Sequence, residues 1–226
     1  MMGASDPLEP FRSIPLTVRR RIVLAALLAL AATPRISPAN AQSVIAAAVA
    51  KPVSLPDIVI GSAKAPLTIT EYASMSCPHC GAFGENVFPM LRTNFIDTGK
   101  VRFVFREFPL DPKAAAASML ARCIAQNDAE KYLDAVQTLF RLQDQLVAET
   151  KQTLFFVGKM KGMSPEEVSG CVKDQAQLDR LAADQQYALK QLNVVSTPTF
   201  FLNGVKLQGS MSYEELEERL KPMLRK

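Results

Sequence analysis

The chain has 226 residues, 48% hydrophobic and 21% charged, with ten glycines and fifteen prolines, a balance that excludes a collagen, a largely disordered chain and a polytopic membrane protein. Of its net charge of +4, residues 1–41 hold +3 (Arg12, Arg19, Arg20, Arg21 and Arg35 against Asp6 and Glu9), so the other 185 residues carry only +1 and show no basic stripe for nucleic acid. Four cysteines are too few for a disulfide-dense scaffold, and the single histidine, His79, excludes a site with two or more histidine ligands.

Arg19–Arg21 precede an uncharged apolar run, Ile22–Ala32, followed by Pro34, Pro38 and the triplet Ala39-Asn40-Ala41. A charged segment, a short apolar segment and a small-residue cleavage site together read as an export signal, 1–41, cut after Ala41. Ala48-Val49-Ala50 is a second cut site, and the Arg19–Val23 string also resembles a twin-arginine signal. An uncleaved anchor is the alternative. Against it, eleven helical residues reach about 17 Å, short of a hydrocarbon core of about 30 Å. The compartment implied lies outside the cytoplasm, where disulfides persist.

Residues 42–56 show no clear pattern and read as a flexible lead-in. Ile58–Ile60 and the alternating, β-branched Leu67–Tyr72 predict strands. After Cys77-Pro78-His79-Cys80, Phe83, Val87, Met90 and Leu91 recur at helical spacing, with a kink expected at Pro89. Val101–Phe108 is another strong strand. Residues 112–192 then read helical throughout. Ala115, Met119, Leu120 and Ala121 belong to one helix, and Tyr132, Val136, Leu139 and Phe140 to the next. Ser164-Pro165-Glu166-Glu167 opens another with a capping box. In the last long helix Leu178, Leu181, Ala182, Leu189 and Leu192 read as one face, with Tyr187 off it and Gln185 interrupting the stripe. Thr199–Leu202, Asn203-Gly204 and Val205–Gln208 form a hairpin, because both turn residues tolerate positive φ. Ser212–Glu215 is another capping box, opening a final helix with Leu216 and Leu220 inward.

The chemistry sits at Cys77-Pro78-His79-Cys80. Two thiols three positions apart at a strand-to-helix junction make a redox pair. The free N–H groups and partial positive charge of the helix start favour a thiolate on Cys77, which lowers its pKa. Cys80, one turn on, can attack the first sulfur and release a bound partner. Pro78 holds the turn rigid, and His79 can add charge or a donor. A zinc site would need a second close pair, and Cys123 and Cys171 are 48 apart; no metal or cofactor is expected. A c-type haem needs histidine after the second cysteine, where Gly81 stands. A purely structural bridge would close too short a loop to add much stability.

Strand, Cys-Pro-His-Cys helix, strand, long helical stretch, then Thr197-Pro198-Thr199-Phe200 before a hairpin and helix resembles the DsbA family of periplasmic thiol:disulfide oxidoreductases, over residues 57–226. The resemblance implies an α/β thioredoxin fold with an inserted all-helical domain: 57–111 and 193–226 as the two parts of the thioredoxin domain, 112–192 as the insertion. It implies Cys77 as nucleophile and Cys80 as the buried resolving thiol. Pro198 after Thr197 matches the family's cis-proline, which faces the redox pair and helps bind extended substrate.

Glu71 stands where the family often has a buried acid. Buried, it would have a raised pKa and serve as a proton relay; in a half-exposed strand it would simply meet solvent. Cys123 and Cys171 are either a second bridge or two unpaired core thiols. The activity implied is oxidation of unfolded exported polypeptides with free thiols by a monomer that a DsbB-type membrane oxidase regenerates. A reductase or isomerase on the same fold is the nearest alternative, although fifteen residues at 42–56 are too few for an isomerase's dimerisation domain. A peptide-binding holdase is an alternative of another class.

Overall fold

The central strand sets the architecture. Leu67–Ala73 (β2) is β-branched and nearly apolar, and it is buried on both faces. In the computed structural model, which describes residues 38–51 and 54–225, it lies in the middle of a five-stranded mixed sheet. The strands are Ile58–Ile60 (β1), β2, Val101–Glu107 (β3), Thr199–Leu202 (β4) and Val205–Gln208 (β5), in the order β1-β3-β2-β4-β5. β2 and β3 run parallel and the other pairs antiparallel. The register places Glu71 between Phe105 on β3 and Phe200 on β4.

The parallel β2–β3 pair requires a crossover, which is helical. Pro78–Asn86 (α2) leads to Phe88–Leu91 (α3), with the break at Val87 and Pro89 in the first turn of the new helix. A π-helical turn, Arg92–Ile96, then buries Phe95 and Ile96. Six helices follow β3: Pro112–Ala125 (α4), Ala129–Arg141 (α5), Gln143–Ala148 (α6), Thr150–Met160 (α7), Pro165–Val172 (α8) and Gln175–Gln191 (α9). Their starts obey local chemistry. Asp111, Asp128 and Asp174 accept hydrogen bonds from the first free N–H groups, and Ser164 with Glu167 forms a reciprocal box. The hairpin turns at Asn203 (φ 46°) and Gly204 (φ 86°). Ser212 and Glu215 cap the last helix, Tyr213–Leu224 (α10), which buries Leu216 and Leu220. This is a thioredoxin fold with a helical insertion.

One face of the sheet joins α2, α10 and the inserted helices in the main core. The other face carries a smaller cluster of Tyr72, Phe108, Phe201, Ala188, Leu192, Val194 and Val49. Val49 comes from a segment read as a lead-in without pattern. Residues 38–50 instead form a helix (α1), because six of its thirteen residues are alanine, the strongest helix former. It is tied down: Tyr187 donates to Ala48 O at 3.0 Å, and Asp184 accepts from Ser54 N and Leu55 N at 2.7 and 2.9 Å. A Cβ on Gly204 would lie 2.6 Å from Ala46 Cβ, so that turn needs glycine for contact as well as for φ. The export signal lies outside the described residues as far as Ser37; Pro38 to Ala41 begin α1.

The inward face of α9 also differs from the leucine stripe. Leu181, Ala188 and Leu192 are buried, whereas Ala182 and Leu189 are exposed. Three polar residues complete that face by serving backbone groups, the first being Gln177, which donates to Met119 O at 3.4 Å. Asp184 binds the 54–55 amides, and Gln185 donates to Pro109 O at 2.6 Å. Tyr187, placed off the face, is half-buried against α1.

Candidate active site

β2 ends at Ala73, and Ser74 Oγ accepts from Leu110 N at 3.2 Å, pinning the loop. Cys77 N donates to Ser74 O at 3.1 Å, and Cys77 is the N-cap of α2 with Pro78 at its first position. Proline fits there because its missing N–H would have no partner in the first turn. Cys77 O accepts from Cys80 N at 3.0 Å and from Gly81 N at 3.1 Å, closing that turn. Cys80 is fully buried and Cys77 is 4% exposed; both are thiols in this structure.

The two sulfurs have opposite surroundings. The Cys77 thiol is lowered to about 5 from an ordinary 9.0. The largest cause is the hydrogen bond from the Cys80 side chain; Thr197 and the backbone N–H groups of Cys80 and His79 add to it, against the desolvation that opposes it. In the thiol form Cys77 Sγ donates to Thr197 O at 3.2 Å. Once ionised, it exchanges that acceptor for the donors around it. Cys80 is pushed up, chiefly by desolvation and then by the hydrogen bond it gives to Cys77. At neutral pH the pair therefore holds one thiolate and one thiol, with the charge on Cys77.

Thr197-Pro198 is a cis peptide bond and brings Thr197 against Cys77. Thr197 Oγ1 is buried without a hydrogen-bond partner. Glu71 is 3% exposed behind the pair, with Oε1 unpartnered among Phe83, Phe88, Phe103, Phe105 and Phe140. Burial, and then the Cys77 charge, raise its carboxyl to about 8 from 4.5, so it is protonated while the pair is charged. The His79 imidazole is exposed, and what His79 gives the sulfur is its main-chain N–H. Cys123 and Cys171 are bridged, with Cα atoms 6.0 Å apart, joining α4 to α8 away from this site. Among the described residues no cluster of three or more His, Cys, Asp or Glu could hold a metal.

A family model described as thioredoxin matches residues 54–222. The chain belongs to the thioredoxin family. Within that family the crystal structure of alpha-DsbA1 from Wolbachia pipientis is similar, with a TM-score of 0.69, 28% identity, and 76% of this chain and 94% of that one covered. BdbD from Bacillus subtilis shares the thioredoxin fold with its insertion, at a TM-score of 0.65, 22% identity and coverage of 75% and 94%. In sequence, the "Putative protein-disulfide oxidoreductase" of Rickettsia bellii is 32% identical over 155 residues, 68% of this chain and 59% of the relative. "Disulfide bond formation protein D" of Bacillus subtilis is 25% identical over 175 residues, covering 74% and 77%. The chain spans somewhat more than half the length of the Rickettsia relatives that it matches.

One residue at the site escapes sequence reasoning. Gln143, the first residue of α6, donates from Nε2 to Met75 O at 2.9 Å and to Cys77 O at 3.0 Å. It lies 66 residues from Cys77 in a stretch read only as helix, and no local pattern marks it.

Proposed function

We propose that this protein is an exported thiol:disulfide oxidase acting in the periplasm. Residues 1–41 serve as its export signal, cut after Ala41. Its substrates are unfolded exported polypeptides with free thiols. A substrate thiolate attacks Cys77 Sγ in the Cys77–Cys80 disulfide, forming a mixed disulfide and expelling Cys80 as a thiolate that takes up a proton. A second substrate thiolate attacks the substrate's own sulfur in the mixed disulfide. The substrate leaves as a disulfide, two electrons poorer, and Cys77 leaves as a thiolate. A DsbB-type membrane oxidase accepts those two electrons and restores the bridge. The enzyme works as a single chain.

The observation that carries this reading is the asymmetry of the pair. A Cys77 thiolate held at about 5 is a good leaving group, and it stabilises the dithiol over the disulfide. Such a disulfide gives up its bridge readily, which is what an oxidant needs. Exposed Leu110 and Val195 flank the site and offer apolar contact to an unfolded chain. Glu71, protonated below about 8 and buried behind the sulfurs, supplies the proton store for Cys80.

The reduction potential of the Cys77–Cys80 couple against glutathione tests the reading. A value well above the glutathione couple supports an oxidase. One near thioredoxin's, roughly −270 mV, would assign a reductase instead. Cys80→Ser should accumulate mixed disulfides through Cys77, seen as adducts on non-reducing gels that dithiothreitol removes. No adducts, with peptide still bound, would favour a holdase.

A further inference from the structure

We propose that Gln143 is the positioning residue of the redox loop: from the inserted helices it holds the carbonyls of Met75 and Cys77, and so keeps the first N–H groups of α2 aimed at the Cys77 sulfur. The inference rests on the exchange reading above and names the residue through which the insertion acts on that site.

The geometry is specific. One terminal atom of Gln143 lies 2.9 Å from Met75 O and 3.0 Å from Cys77 O. Two carbonyl acceptors around one atom require the NH2 group there, which fixes the amide's orientation. One carbonyl is Cys77's own and the other lies two residues before it, and Cys77 N is itself bonded to Ser74 O at 3.1 Å. The Cys77 backbone is therefore held on both sides, and it cannot rotate without breaking one of these bonds. That rigidity matters because the thiolate depends on main-chain N–H groups of His79 and Cys80, and hydrogen bonds weaken steeply once misaligned.

α2 is shaped to receive this side chain. A Cβ at Gly81 would lie 3.0 Å from Gln143 Oε1, and one at Gly84 would lie 2.8 Å from Phe140 Cδ2. These glycines, one turn apart, let the end of α5 and the start of α6 lie directly on the helix that carries the thiols. The insertion thus grips the redox loop by hydrogen bonds as well as by packing.

The test separates the donors from the bulk. Gln143→Met keeps the side chain's size without its N–H groups, and Gln143→Ala removes both. Gln177→Ala is the control, since buried Gln177 also reaches a main-chain carbonyl, Met119 O, in a single longer contact of 3.4 Å elsewhere in the insertion. Two quantities are read: the pH midpoint of the Cys77 thiolate by ultraviolet absorbance, and the equilibrium constant with glutathione. Both Gln143 variants should raise the midpoint by about one unit and move the equilibrium about tenfold towards the disulfide, roughly 30 mV. Gln177→Ala should lower the melting temperature and leave both readings within twofold of wild type. The proposal is overturned if Gln143→Met matches wild type, or if Gln177→Ala moves the readings as far. It also falls if neither Gln143 variant folds, since the amide would then be a general folding contact. If wild type fails to oxidise a dithiol peptide, the exchange reading fails; the thiolate midpoint needs no substrate and still judges Gln143.

Discussion

Two cysteine pairs share this chain and do different work. Cys77 and Cys80 are one helical turn apart, among hydrogen-bond donors that pull charge onto one sulfur. Cys123 and Cys171 are 48 residues apart and tie α4 to α8. In the chain-entropy account, closing a loop of that length destabilises the unfolded state by about 4 kcal/mol, whereas closing a four-residue loop gives about half as much. Loop length and nearby donors, rather than the sulfur itself, separate a brace from a reagent.

The comparison breaks most visibly at the nucleophile. Cys77→Ser should abolish dithiol-peptide oxidation, by at least about a thousandfold, because the hydroxyl cannot form the mixed disulfide. Cys123→Ser/Cys171→Ser should keep turnover within a few-fold and lose on the order of 2–4 kcal/mol of stability. Peptide turnover and thermal melts on the same two proteins check both halves. A double serine variant that melts normally but no longer oxidises peptide would reverse the assignment.

The next test sharpens the comparison through pH. The folded value of Cys77 lies near 5, below its ordinary 9.0. A depressed folded value gives stability that is fully present above the unfolded value and is lost as pH falls through the folded one. Reduced protein should therefore gain over oxidised protein between about pH 5 and pH 9, and the gain should vanish below pH 5. The Cys123–Cys171 bridge has no thiolate and adds no such slope. Thermal melts of both redox forms across that range read it out, under conditions that leave the second bridge intact. An oxidised form that melts higher at pH 7 would leave the reductase standing.

Sequence reading reached the parts of this molecule that local chemistry fixes. The alternating strand at Leu67–Tyr72, the Asn203-Gly204 turn and the Ser164 and Ser212 boxes need only near neighbours. Cys77 at a helix start belongs to the same class. What stayed hidden depends on contacts across the fold. Gln143 meets Met75 and Cys77 only after the insertion has docked. The leucine stripe of α9 misled because Asp184 and Gln185, polar by type, face inward to serve the amides of Ser54 and Leu55 and the carbonyl of Pro109. α1 lacks an amphipathic signature because alanine faces both protein and solvent at little cost, and its docking depends on Tyr187 and Gly204, more than 130 residues on.

The smallest expected effect concerns the acid behind the working pair. Glu71 has a folded value near 8 against 4.5 ordinarily, mainly because burial disfavours its charge. A carboxyl whose folded value is raised stays protonated in the native protein while the unfolded chain ionises. Stability therefore falls as pH rises from about 4.5 to about 8, by up to about 1.4 kcal/mol per pH unit. In reduced protein this opposes the gain from Cys77, so the oxidised form, with no Cys77 charge, shows it most cleanly, though with a somewhat smaller shift. Glu71→Gln should flatten that decline. The slope decides rather than the height of the melt, because a buried amide has a desolvation cost of its own. The variant should also shorten the lifetime of mixed disulfides between pH 6 and pH 8, because Cys80, without the group that gives it a proton, stays a thiolate for longer and attacks the Cys77 sulfur again. A variant with the wild-type pH slope would show that Glu71 ionises freely in the native protein. An altered slope with unchanged mixed-disulfide lifetimes would leave Glu71 a buried acid without a part in the exchange.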